Sequence, residues 1–138
     1  MSTSGKIMNS STLDIDEYPF KDECYRIFGA CMEVSNELGS GFLEAVYQEA
    51  LCYEFSDQDI QFESQKLMNI AYKGRPLKKK YIADFICYGE IILEIKAIDS
   101  LKAEHTSQVV NYLKATGKQI GLLVNFGTSR LQYKRVIN

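Results

Sequence analysis

The sequence predicts a single α/β domain built on a mixed sheet, and three observations carry that prediction. Segments of helical and strand period follow one another in the order ααβββαβ, which sets helices against a sheet. Two runs, Ile91-Ile92-Leu93-Glu94-Ile95-Lys96-Ala97-Ile98 and Ile120-Gly121-Leu122-Leu123-Val124-Asn125-Phe126, are apolar almost throughout. That is the composition of strands covered on both faces. A length of 138 residues suits one domain with a sizeable core.

The elements follow in order. Residues 1–16 are rich in Ser and Thr, lack periodicity and are expected to be a disordered lead-in, with the domain occupying 17–138. Pro19 suits an opening turn, and Cys24, Ile27, Cys31, Val34 and Leu38 keep helical spacing, which predicts a helix over 19–38. Gly39-Ser40-Gly41 stops it. Leu43, Val46, Tyr47, Ala50 and Leu51 then mark an amphipathic helix over 42–55. Strands are expected over 62–72, 81–87 and 91–98, with turns at Lys73-Gly74-Arg75-Pro76 and at Gly89. Such short turns make antiparallel hairpins. A third helix spans 103–116 and ends at Gly117. The 120–126 strand and a short strand over 133–137 complete the sheet.

Apolar residues make up 46% of the chain and charged residues 25%, as in ordinary globular proteins. A net charge of -2 exerts no overall pull on nucleic acid, so such binding needs a local basic patch. Arg75 with Lys78, Lys79 and Lys80 is that patch, and a solvated turn is its plainer reading. Cys24, Cys31, Cys52 and Cys87 are scattered without a Cys-x-x-Cys pair, as expected of free thiols in a reducing compartment. With no membrane-length apolar window and no secretory pattern at the N-terminus, a cytoplasmic location and no membrane partner are expected. Gly39-Ser40-Gly41 lacks the spacing of a phosphate-binding loop or dinucleotide fingerprint.

The chemistry concentrates on Asp84 and Glu94-Ile95-Lys96. Charges rarely occupy buried strands unless paired or bound to metal, because desolvation is costly. Glu94 and Lys96, two apart, share a strand face. Asp84 lies between Ile82 and Ile86, expected on its own face, and it and Glu94 stand five residues either side of Gly89. Facing carboxylates repel unless a cation sits between them, and Mg2+ or Mn2+ would suit such oxygens. The alternative is a solvent-facing Glu94–Lys96 pair on an open sheet. Glu44 falls about 20° from Leu51 on the helical wheel, at the edge of the core stripe, where it can reach the sheet. His105, Gln108 and Tyr112 occupy an arc of about 60° on the third helix, a polar row that could lie along a site.

Several ordered motifs now become recognisable. Gly41-Phe42-Leu43-Glu44-Ala45-Val46-Tyr47 resembles the signature of the GxxExxY protein family. The resemblance continues through Ala83-Asp84-Phe85, Leu93-Glu94-Ile95-Lys96-Ala97, Gln108-Val109-Val110-Asn111-Tyr112-Leu113-Lys114 and Leu122-Leu123-Val124-Asn125-Phe126-Gly127. It covers about residues 21–137 and departs at Ser40, where the family commonly has proline. The family is similar to a branch of the PD-(D/E)XK nucleases, which implies a restriction-endonuclease-like αβββαβ core. It implies Asp84, Glu94 and Lys96 as the catalytic triad, Glu44 as the helical acidic residue joining Asp84 and Glu94 at the metal, and Gln108 and Tyr112 as a Gln-x-x-x-Tyr motif beside the site.

Together these expectations describe a Mg2+- or Mn2+-dependent nuclease cutting DNA, or less readily RNA. A catalytically silent nucleic-acid-binding or accessory module of the same fold is the alternative. The small size also points to a partner protein or a homodimer.

Overall fold

The computed structural model describes residues 18–138 together with the backbone of Lys6–Met8. Its elements are β1 (Lys6–Met8), α1 (Lys21–Leu38), α2 (Glu44–Asp57), β2 (Phe62–Tyr72), β3 (Arg75–Cys87), β4 (Ile91–Lys96), α3 (Ala103–Thr116), β5 (Ile120–Asn125) and β6 (Gln132–Ile137). The sheet has the order β1-β6-β5-β4-β3-β2. β2, β3 and β4 form antiparallel hairpins, whereas α3 carries the chain across so that β5 lies parallel to β4. This is the mixed α/β fold expected.

β4 and β5 are central, and their burial is nearly complete. On one face α1 and α2 pack Ile27, Cys31, Tyr47, Leu51 and Phe55 against Phe85, Leu93, Ile95 and Val124. On the other, α3 packs Val109 and Leu113 against Ile92, Leu123 and Val136. α3 crosses β5 at Gly121, where an added Cβ would come within 2.7 Å of Val109 Cγ1. Close packing there fixes the height of α3 over the sheet. Cys24, Cys31 and Cys87 are buried free thiols; desolvation pushes Cys24 up to about 12 and raises the other two.

Several boundaries differ from expectation. α1 begins at Lys21, two residues after Pro19, because Phe20 takes a left-handed conformation (φ 58°) that precedes helical geometry. Within the stretch expected to be disordered, Lys6–Met8 pairs with β6 as an edge strand. Backbone groups alone make such a ladder, so no apolar alternation announces it. The rest of 1–17 lies outside the described residues. β3 starts at Arg75, which places Lys78, Lys79 and Lys80 on an exposed strand instead of in a turn. Ile82 and Ile86 do not share one environment: Ile82 is 51% exposed and Ile86 3%. Tyr81 and Ala83 pack with α3, yet Phe85 and Cys87 pack with α1 and α2, so the strand changes face at Asp84. Opposite, Gln65 sits at φ 53°, a left-handed kink that turns β2 in the same place.

Candidate active site

The site forms where β3 and β4 part. Their ladder runs from Cys87↔Ile91 to Phe85↔Leu93 and stops there. One step further the same register sets Asp84 opposite Glu94, and side chains replace the missing ladder bonds. Ile95 N–H donates to Asp84 Oδ2 at 2.9 Å, and Asp84 N–H donates to Glu94 Oε2 at 3.3 Å. The two carboxylates thereby lock both strands apart while holding themselves together.

Glu94 is only 8% exposed, which removes the premise of a solvent-facing pair on an open sheet. Burial, then the neighbouring Asp84 charge, push its carboxyl up to about 8. The Tyr81 hydroxyl donates a short hydrogen bond to Glu94 Oε2 and works in the opposite direction. Tyr81 in turn stacks on Tyr112 of α3, with ring centroids 3.5 Å apart and planes inclined by 16°. Burial and Glu94 raise the phenols of both tyrosines, while the Gln108 side chain counteracts the shift at Tyr112. Gln108 and Tyr112 therefore reach Glu94 through Tyr81. Sequence reasoning missed Tyr81. Strict alternation hides it, because the strand changes face between Ala83 and Phe85.

Glu44 opens α2, where the helix N-terminus favours a negative charge. Burial first, and then Asp84, raise its pKa, while Lys96 lowers it, so the three groups sense one another. One turn along the same helix edge, Gln48 Nε2 donates to the Asp84 carbonyl at 3.1 Å and to Ser64 Oγ at 2.9 Å. This second missed residue was legible as the i+4 neighbour of Glu44.

The loop before α2 explains the surrounding signature. Gly41 holds φ 114°, a region that suits glycine. The Tyr47 hydroxyl donates to Gly39 O at 2.6 Å and accepts from Phe42 N–H at 3.3 Å. Its ring stacks on Phe126 at 4.7 Å. Tyr47 thus ties the turn that delivers Glu44. Beyond β4, the buried Asn125 side chain bonds Ile98 N–H and O, Gly127 N–H and Gln132, fixing the chain that leaves Lys96. His105 accepts from Lys102 N–H through Nδ1 at 2.9 Å, so it caps α3.

Hard oxygen donors, one of them a carboxyl that burial and then a neighbouring negative charge raise to about 8, suit a hard divalent cation. As the side chains stand, no three Asp, Glu, His or Cys groups among the described residues close on one point. Asp84 and Glu94 form the pair, and Glu44 approaches from the helix.

A mixed sheet whose parting strands present an aspartate and a Glu-x-Lys, with an acidic helix residue alongside, defines a restriction-endonuclease-like domain. A family profile described as the PD-(D/E)XK nuclease superfamily matches residues 21–136, and the chain belongs to that superfamily. Among solved structures it is similar to one described as the crystal structure of SSO0001. The TM-score is 0.53 at 21% identity, over 86% of this chain and 57% of that one. The chain spans little more than half of that protein, and the likeness concerns the fold alone. No curated protein matches the chain.

Proposed function

We propose that this chain, a GxxExxY-type branch of the superfamily, is a Mg2+- or Mn2+-dependent nuclease that hydrolyses DNA, and RNA less readily. The observation carrying this reading is the Asp84–Glu94 pair, held together where β3 and β4 separate, with Glu94 raised to about 8 by burial first and by the crowding Asp84 charge second. Such crowding is destabilising without a cation and is kept where function uses it. Asp84 and Glu94 would hold the metal, joined by Glu44 once its carboxylate turns inward. Bound metal supplies Lewis acidity at the scissile phosphate and lowers the pKa of its water. Lys96, within electrostatic reach of Glu44 and at the end of β4, orients that water or stabilises charge building on the phosphorus oxygens. Tyr81 holds Glu94 in place, and Gln108 with Tyr112 backs it while presenting an amide to the substrate phosphate.

A second reading, a nucleic-acid-binding or accessory module without catalysis, draws support from the engagement of Glu94 Oε2 by Tyr81 and by Asp84 N–H. Purified protein incubated with labelled single-stranded, duplex and branched DNA, and with RNA, in Mn2+ separates the two. Cleavage lost in both Asp84→Asn and Glu94→Gln is the expected result. Binding without cleavage of any substrate at stoichiometric protein would establish the second reading instead.

A further inference from the structure

On the sheet face opposite Glu94, between α1 and β6, lies a cleft of about 880 Å³ lined by Tyr18, Tyr25, Phe28, Tyr133, Arg130 and Arg135. Phe28 of α1 packs on Tyr133 of β6 at 4.1 Å, which forms its floor. Arg135 is 5% exposed. Its guanidinium lies 4.1 Å from the Tyr18 ring centroid and 5.7 Å from that of Phe28. Ring faces offset part of the cost of burying a cation, but they do not satisfy its donors. Arg135 Nε is buried without a hydrogen-bond partner, and no carboxylate among the described residues pairs with the group. Arg130 stands exposed at the mouth, and among the described residues the lining contains no acidic group. Two guanidiniums with no counter-charge among the described residues match a dianion, and a phosphate can take both. Four aromatic rings around them offer stacking faces to a planar group. The volume falls within the range of small-ligand sites, roughly 300–1,000 Å³.

We propose that this cleft binds a nucleoside monophosphate, with the base stacked among the tyrosines and the phosphate on Arg135 and Arg130. The site is separate from the carboxylates and does not depend on nuclease activity. The nucleotide is either free or the 5′-phosphorylated end of a strand passing round the sheet edge.

Calorimetric titration of the whole protein in EDTA tests this, with AMP, GMP, CMP and UMP as probes beside their nucleosides and inorganic phosphate. At least one nucleotide binds more than about tenfold tighter than its nucleoside or phosphate alone. Arg130→Ala and Tyr25→Ala, changes at exposed positions, each weaken that binding several-fold, while Asp84→Asn leaves it unchanged. Arg135→Gln abolishes it, with circular dichroism reporting whether that variant folds. A 5′-phosphorylated oligonucleotide competes with the nucleotide if the strand end is the source, and fails to compete if the free nucleotide is. No binding of any nucleotide at millimolar concentration, equal binding by phosphate alone, or undiminished affinity in both mouth variants overturns the proposal. An aromatic carboxylate that binds more tightly than every nucleotide does so too.

Discussion

Glu94 concentrates the conflict on which the site depends. Its carboxyl would titrate near 4.5 in the unfolded chain and is held at about 8 in the fold. Between those values the folded state keeps a proton that the unfolded state has lost, so stability falls as pH rises through the window. Below about 4.5 both states are protonated and the penalty is absent; above about 8 both are ionised and it is complete. Glu94→Gln imitates the neutral acid and escapes this loss. In EDTA its urea midpoint matches that of the parent near the lower end of the window and exceeds it near the upper end. The advantage is on the order of a few kcal/mol. A variant less stable than the parent at both ends would show that Glu94 is a stabilising anion. Tyr81→Phe acts through the same residue. The lost hydrogen bond had favoured ionised Glu94, so its carboxyl titrates higher still. The pH–rate profile of cleavage moves to the alkaline side, while a merely structural role would lower the rate at all pH values alike.

At the level of elements, the turn between α1 and α2 decides where Glu44 stands. An added Cβ at Gly41 would meet nothing within 4 Å, so Gly41→Ala costs only its backbone conformation at φ 114°, about 1–3 kcal/mol. Tyr47→Phe keeps the stacked ring and removes two loop hydrogen bonds, for about 1–3 kcal/mol. Both variants stay folded, and both lose more activity than their small drop in Tm accounts for, because α2 carries Glu44 on a loosened hinge. A Tyr47→Phe variant with parental kcat/KM would confine the signature tyrosine to stability. Helices and central strands were legible because their apolar periods coincide with real burial. The facing of Asp84 and Glu94 was legible too, since counting outward from Gly89 reproduces the register of Phe85↔Leu93. The change of face at Gln65 and Asp84 was not. It arises from a backbone kink without a glycine, so alternation carried through it assigns Ile82 and Tyr81 to the wrong sides. Tyr81 was missed as a site residue for the same reason. The start of β3 was hidden because residues 75–80 are exposed throughout, and a strand without a buried face shows no period of two.

At the level of the whole molecule, charge is segregated even though the total is only -2. Glu33, Glu37 and Glu54 line a recess between α1 and α2. The outer half of the β2–β3 hairpin carries Lys73, Arg75, Lys78, Lys79 and Lys80, all exposed. The same β3 strand runs on into Asp84, so a polyanion gripped by the hairpin lies along the line of the parting strands. On the proposed function, such a dipole would turn the acidic flank away from nucleic acid and the basic arm toward it. Lys80 already donates to Asn69 Oδ1 at 2.8 Å, an interaction that sets its side chain on the ladder beside Lys78 and Lys79. Each phosphate contact releases counterions, contributing about 0.9 to the slope of log affinity against log salt for duplex DNA. Replacing Lys78, Lys79 and Lys80 by glutamine therefore lowers that slope by about 2–3 and weakens binding alike for unrelated sequences. Fluorescence anisotropy over a salt series measures both effects, with Ca2+ in place of Mg2+ to suppress cleavage. The three lysines are exposed and belong to neither core cluster, so the variant keeps a Tm close to the parental one. An unchanged slope would remove the hairpin from the interface and leave α3, with Gln108 and Lys114 on its exposed side, as the surface that meets the strand.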